Sequence, residues 1–361
     1  MGMENNRYQG YQREGVTVEE AVCLMLKAIS ERELKEEEVD LMEALGRVVA
    51  RDCISPVSQP PFDRSPLDGY ALRAVDTKGA SQIHPVRLTV LEEVDAGDAP
   101  VSTVGPGQAV RIMTGAPIPQ GADCVIRQES TDYGEKVVEI YQELHAYDNY
   151  CYTGEDFHAG DCLIPAGTKI GAVELGILAS MGYTKVLVIQ LPRVAILTMG
   201  DELMKPGTPL APGKIYNSNL YVLLGRCREL GICPVIESML QDTAEKVADV
   251  LADILPEADL IITTGGVSVG KKDIMHEALD LLYARKIFWR VLVKPGSPTI
   301  FAVADDTPIV SLSGNPFGAL THMELLVRPL LAQLCSDVTF IPERKDAELM
   351  DAFAKASLLR R

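Results

Sequence analysis

The side chains of this chain best placed to do chemistry are carboxylates that stand beside glycine-rich loops. In Thr263-Thr264-Gly265-Gly266-Val267-Ser268-Val269-Gly270-Lys271-Lys272-Asp273 the glycines follow an apolar run, 259–262, that reads as a buried strand. Glycine backbone at a strand end turns tightly and can aim several N–H groups at one point, which suits a phosphate or another oxyanion. Asp273 closes the loop, where a carboxylate could hold a divalent cation beside that anion. An ordinary strand-to-helix turn has the same look, so the reading depends on what converges with it. Two more polar, glycine-bearing loops follow apolar runs: Thr198-Met199-Gly200-Asp201-Glu202 and Ser311-Leu312-Ser313-Gly314-Asn315-Pro316.

The carboxylates themselves are spread along the chain. Glu202 and Asp273 follow two of these loops, Asp242 follows a third strand candidate, Asp156 lies in Gly154-Glu155-Asp156, and Asp68 in Asp68-Gly69-Tyr70. Several carboxylates facing one pocket would suit Mg²⁺ and a bound oxyanion. Each has a plainer role open to it. Asp242 and Glu245 have capping-box spacing, Asp201 and Glu202 suit a solvated turn, and Asp68 before a glycine is a turn former. On the basic side stand Arg290, Lys294 in Lys294-Pro295-Gly296, and Lys271 or Lys272. A rival pattern is also present: Gly266-Val267-Ser268-Val269-Gly270 matches the G-x-S-x-G of a hydrolase nucleophile elbow. A serine hydrolase needs a histidine base, and after Ser268 only His276 and His322 occur, both inside expected helices, which disfavours that chemistry.

The elements that must position these groups follow from pattern. From 186 onward, apolar strand candidates at 186–189, 194–198, 234–239, 260–264 and 288–293 alternate with helix candidates at 220–230, 243–255 and 274–282, and a last helix covers 317–334. This rhythm predicts a parallel sheet covered by helices on both faces, with ligands bound beyond the carboxyl ends of its strands. Residues 55–152 read differently: proline and glycine punctuate short runs at 86–94, 109–113, 124–128 and 136–140, the texture of a small β-barrel or sandwich. Thr17 and Glu20 form a capping box ahead of an apolar face of Val18, Ala21, Val22, Met25 and Leu26. A second short helix ends near Gly46, 47–54 reads as a strand, and a helix over 172–181 stops at Gly182.

Bulk properties exclude several classes. Against 34 Lys and Arg stand 51 Asp and Glu, a formal charge of −17, which disfavours nucleic acid and anionic membranes as partners. The eight cysteines form no C-x-x-C pair and read as reduced thiols of a cytoplasmic protein. The polar first fifteen residues, expected to be disordered, lack the apolar stretch of a signal peptide, and no apolar run is long enough to span a bilayer.

Taken in order, Pro60-Pro61-Phe62-Asp63-Arg64-Ser65-Pro66-Leu67-Asp68-Gly69-Tyr70-Ala71, Arg111-Ile112-Met113-Thr114-Gly115-Ala116-Pro117, Gly154-Glu155-Asp156, Gly200-Asp201-Glu202-Leu203, Gly265 to Gly270 and Gly314-Asn315-Pro316 resemble the molybdopterin molybdenumtransferase family, known as MoeA in bacteria and as the E domain of gephyrin in animals. The resemblance implies an α/β multidomain fold. It comprises a molybdopterin-binding α/β domain at 186–335, a β-rich domain at 55–152, a linker domain split into 16–54 and 153–185, and at 336–361 only the start of a C-terminal barrel. It implies insertion of molybdenum from molybdate into adenylylated molybdopterin with release of AMP, using Mg²⁺ or a similar ion. Asp68, Thr114, Asp156, Glu202, Asp242 and Asp273 would be the functional polar residues, with Asp242, Asp273 and Glu202 on the metal. Arg290 and Lys294 would meet phosphate or oxyanion. Gly265, Gly266, Ser268, Ser313, Gly314 and Asn315 would cradle the substrate. A homodimer is implied, Asp68 and Thr114 serving the partner's site. The chain departs from the family pattern at Ser297, where a second lysine is usual, and at Cys151-Tyr152-Thr153, where arginines are usual. Those losses and the short C-terminal segment leave a second reading, a non-catalytic binder of molybdopterin or an assembly scaffold.

Overall fold

The computed structural model describes residues 15–240, 243–267, 274–294, 296–348 and 350. The chain forms two compact units, Met1–Arg51 with Ala166–Gly171 and Lys185–Arg361, and Asp52–Pro165 with Ala172–Thr184. The segments 16–54 and 153–185 are therefore shared between the two. The first unit opens with α1 (Val18–Ala28) and β1 (Glu36–Asp40). The Thr17–Glu20 capping box forms as read: the Thr17 N–H donates to Glu20 Oε2 at 2.8 Å and the Glu20 N–H to Thr17 Oγ1 at 3.2 Å.

The second unit holds β2 (Cys53–Ile54), β3 (Gly69–Leu72), β4 (Val86–Val94), β5 (Gln108–Ile112), β6 (Cys124–Arg127), β7 (Val137–Ile140), β8 (Cys162–Ile164) and α2 (Ala172–Ser180). Five of these strands make one sheet in the order β6-β3-β5-β4-β7, and β2 pairs with β8. Alternate residues feed separate cores on the two faces: Tyr70, Leu72, Ala109 and Ile126 on one, Ala71, Val110, Ile112 and Val125 on the other. A bridge between Thr131 and Ile140 ties the segment after β6 to β7, drawing the sheet's two edges together.

The first unit resumes with β9 (Lys185–Ile189), β10 (Val194–Met199), β11 (Leu203–Met204), β12 (Ile215–Tyr216), α3 (Ser218–Glu229), β13 (Ile236–Leu240), α4 (Ala244–Ile254), β14 (Leu260–Thr264), α5 (Ile274–Leu281), β15 (Arg285–Trp289), β16 (Ile300–Ala304), β17 (Thr307–Leu312), α6 (Pro316–His322) and α7 (Arg328–Leu334). The main sheet runs β13-β10-β14-β17-β16-β15. β13, β10, β14 and β17 are parallel, as the alternation predicts. β16 and β15 are antiparallel, so the sheet is mixed rather than wholly parallel. The reason is a hairpin: Asp305 and Asp306 take φ of +44° and +61°, the left-handed pair that closes a two-residue turn between β16 and β17. The strand read at 186–189 does not enter this sheet but pairs antiparallel with β1. The helix read over 317–334 is interrupted by a π-helical segment, Met323–Val327, just before Pro329, which has no N–H to continue an α-helical ladder.

Period-two alternation gives the sheet two buried faces. Ile196, Ile262, Val310 and Phe301 pack with Ala21 and Met25 of α1, Leu223 and Cys227 of α3, and Leu330 and Leu331 of α7. Ala195, Leu197, Ile261 and Ile309 pack with Val247 and Leu251 of α4 and Met275 and Leu279 of α5. Each fully buried aliphatic side chain contributes about 1.5–3 kcal/mol. Phe340 also lies in the first of these cores, and Lys169 donates to Asp337 at 2.7 Å, so the chain just past Cys335 packs on this unit. No disulfide joins the eight cysteines. Among the described residues no helix is long and apolar enough to cross a membrane.

Candidate functional site

The strand-end loops of the first unit meet over a cavity of about 310 Å³ at the carboxyl ends of β10, β14 and β17. Gly200 and Glu202 line it after β10, residues 264–267 after β14, Ser313, Gly314 and Pro316 after β17, and Ser218 and Asn219 from the first turn of α3. Glu202 is the one charged side chain among its described lining residues. The wall is otherwise hydroxyls, an amide, backbone and small apolar groups, a surface that selects a ligand by shape and hydrogen bonding more than by opposite charge.

The sequence builds this floor through close backbone approach. Gly265 has φ +95°, and a Cβ there would lie 2.2 Å from the carbonyl oxygen of Met199, so only glycine lets the loop rest on the end of β10. Its N–H donates to Leu312 O at 3.2 Å, which joins the β14 loop to the β17 loop. The segment around Lys294 is anchored in the same way. A Cβ on Gly318 would lie 2.8 Å from the Cα of Gly296, so this backbone sits directly on α6. Beside it the Thr299 hydroxyl lies 2.6 Å from His322 Nδ1. His322 is fully buried, and burial pushes its pKa down to about 4, so the ring is neutral near pH 7.

The structure brings only some of the expected site residues together. Glu202, Gly265, Gly266, Ser313 and Gly314 line the cavity. Asn315 instead caps α6, its side chain accepting from the Gly318 N–H at 3.1 Å. Arg290 and Lys294 are exposed and are not among the described lining residues; Arg290 Nε donates to Ser297 Oγ at 3.3 Å. Asp68, Thr114 and Asp156 belong to the second unit. There the Thr114 N–H and hydroxyl both donate to Asp68 Oδ1 at 2.7 Å, which holds the Asp68 carboxyl below its ordinary value. Asp156 is exposed. Asp242, Ser268, Lys271, Lys272 and Asp273 lie outside the described residues. Thr243 is the N-cap of α4 and makes no side-chain capping hydrogen bond. Among the described residues there is no group of three His, Cys, Asp or Glu side chains set to hold a metal. The hydrolase reading gains nothing, because His276 and His322 are both buried.

Sequence reasoning missed the segment that reaches the cavity from the side, Ile215 to Asn219. Its signal was Asn217-Ser218-Asn219 at a helix start, where Asn217 is the N-cap, accepting from the Leu220 N–H at 3.3 Å. It also missed Asp63, which accepts from the Thr153 N–H at 2.7 Å, the Thr153 hydroxyl at 2.8 Å and the Tyr150 hydroxyl at 2.5 Å. Burial would raise the Asp63 pKa, but these donors outweigh it and the net shift is downward. Asp63 thereby fixes the loop that carries Gly154-Glu155-Asp156.

Glycine loops over parallel strand ends, on a sheet covered by helices on both faces, define an α/β ligand-binding domain. Its class is that of the molybdopterin-binding domains: residues 195–333 match the family model described as a probable molybdopterin binding domain, and residues 16–182 match that of the MoeA N-terminal region, domains I and II. The molybdopterin molybdenumtransferase of Staphylococcus epidermidis is 36% identical over 346 residues, 96% of this chain and 82% of that protein. That of Bacillus subtilis is 38% identical over 297 residues, 81% of this chain and 69% of its own length. The crystal structure of a Pyrococcus molybdopterin biosynthesis MoeA protein superposes with a TM-score of 0.78 at 32% identity, covering 90% of this chain and 81% of that one. The chain belongs to the molybdopterin molybdenumtransferase (MoeA) family, enzymes of molybdenum cofactor biosynthesis.

Proposed function

We propose that the cavity binds molybdopterin in its adenylylated form and that the protein transfers molybdenum to it from molybdate with release of AMP. The observation that carries this reading is the convergence of the Glu202, 264–267 and 313–316 segments on one cavity. The glycine backbone and hydroxyls of that floor suit the pterin and its phosphate. A hard, oxygen-only donor such as Glu202 at the rim suits Mg²⁺. Glu202, Asp242 and Asp273 would hold that ion, which when bound offsets charge on the phosphate oxygens. Lys294 and Arg290 would reach the same anion from the adjoining exposed segment. Asp68 and Thr114 would serve the site of a second copy, an arrangement that supposes a dimer in sedimentation.

The test is AMP release from adenylylated molybdopterin with Mg²⁺, with and without molybdate. Molybdate-dependent release is expected, and Asp273→Asn should abolish it at an unchanged melting temperature. Tight binding of molybdopterin without AMP release would replace this reading with that of a non-catalytic carrier. Full activity in Asp273→Asn would overturn the metal assignment.

A further inference from the structure

One amide joins two of the three loops that form the cavity. Asn219, in the first turn of α3, donates through Nδ2 to Thr264 Oγ1 at 3.0 Å and to Gly314 O at 2.9 Å. Thr264, 1% exposed at the end of β14, donates its single hydroxyl proton to Ser313 O at 2.9 Å. Proton counting then fixes the directions. With its proton given to Ser313, the Thr264 oxygen can only accept, and a carbonyl can only accept, so both must be met by the two amide protons of Asn219. The amide orientation is thus set by its neighbours. The same short segment holds the third loop. β12 pairs with β11, the Ile215 N–H donates to Glu202 O at 2.8 Å, and the Asn217 N–H donates to Met204 O at 2.9 Å. Asn217 in turn donates through Nδ2 to Thr198 Oγ1 at 2.7 Å, at the end of β10.

From this arrangement we infer that Asn219 is a positioning residue for the reaction: its forked amide sets the spacing between the β14 and β17 loops, and with Ile215 and Asn217 it locks both to the loop of Glu202. The inference rests on the proposal that this cavity holds the pterin substrate. Loops that carry a reacting phosphate must be held to well under an ångström, since misplacement of about 1 Å can cost on the order of a hundredfold in rate. Glycine-rich loops cannot supply that stiffness themselves, because glycine has the most backbone freedom to lose. The network supplies it from a helix packed on the sheet. Asn219 makes its bonds to loop groups and needs no contact with the substrate to act.

A double-mutant cycle tests this. Asn219→Ala and Thr264→Val should each lower kcat for AMP release by roughly ten- to a hundredfold, with a smaller change in KM and a melting temperature close to that of the parent protein. The pair together should be little worse than either alone, because both remove the same link. Thr264→Ser, which keeps the hydroxyl, should recover most of the loss of Thr264→Val. Asn219→Asp, which keeps the shape but sets a carboxylate against the Gly314 carbonyl, should be at least as impaired as Asn219→Ala. Wild-type kcat in Asn219→Ala, or losses that multiply in the double variant, would overturn the inference. If the parent protein releases no AMP, the proposed reaction is what fails. The same variants are then read by equilibrium binding of molybdopterin, where weaker, non-additive binding supports the positioning role and unchanged binding overturns it.

Discussion

At the scale of single residues, two buried histidines of the first unit govern how it answers acid. His322 and His276 are both buried, and burial lowers each to about 4 from an ordinary value near 6.5. In His276 the nearby Lys286 ammonium adds to the effect of burial. The unfolded chain therefore binds protons between about pH 6.5 and 4 that the folded chain refuses. Their contribution to stability is complete above about 6.5 and is lost as pH falls toward 4. The melting temperature should drop between pH 7 and pH 5, and the drop should be shallower in His322→Gln. An identical pH dependence in that variant would show that His322 is not among the groups responsible. The same histidine lies 2.6 Å from the Thr299 hydroxyl, beside the Lys294 segment, so its protonation near pH 4 should loosen that segment.

At the scale of elements, one carboxylate organises the end of the sheet opposite the cavity. Asp259, 7% exposed by side chain, accepts from Arg32 at 2.6 Å, Lys35 at 3.0 Å and Arg193 at 3.0 Å. Burial would raise its pKa, but these donors win and hold it far below the carboxylate range. It thereby ties the segment after α1 to the entries of β10 and β14. Asp259→Asn leaves three cations facing a neutral amide. It should cost about 2–3 kcal/mol, discounted from the figure for a fully buried pair because the cations are partly in water. A lower denaturation midpoint with unaltered molybdopterin affinity is the expected result; unaltered stability would show that water screens the cluster completely. Most of these elements were legible in the sequence. The Thr17–Glu20 box and the strand 260–264 stood out because capping and apolar runs are local signals. What was not legible is tertiary. The run 186–189 is as apolar as its neighbours, and only its pairing with β1 keeps it out of the main sheet. The hairpin at Asp305-Asp306, and with it the antiparallel pairing of β16, depends on which strands meet rather than on any one motif. In the candidate site, the glycine loops could be read because their spacing is chemical. Asn219 could not, because its worth lies in two bonds to residues far along the chain.

At the scale of the whole molecule, a chain of charge −17 is proposed to bind a substrate that is itself anionic. Its cavity shows Glu202 and no cation among the described lining residues. Attraction at a distance is then weak, and on the proposed reading recognition would fall to short-range backbone contacts, a divalent ion and the exposed Arg290 and Lys294. The main sheet also has two histories written into it. β16 and β17 are joined by two residues, whereas neighbours such as β10 and β14 meet only after long helical crossovers. Closing a short loop sacrifices little chain entropy, and closing a long one sacrifices more and takes longer. The antiparallel edge should therefore assemble first as the chain collapses, offering β17 as a ready template onto which β14, β10 and β13 are added in turn. In pulsed hydrogen exchange during refolding, amides of 300–312 should gain protection before those of 194–199, and the reverse order would refute this sequence of events. The glycine loops over the cavity would then be among the last parts to set, since they take their shape from strands that must already be side by side.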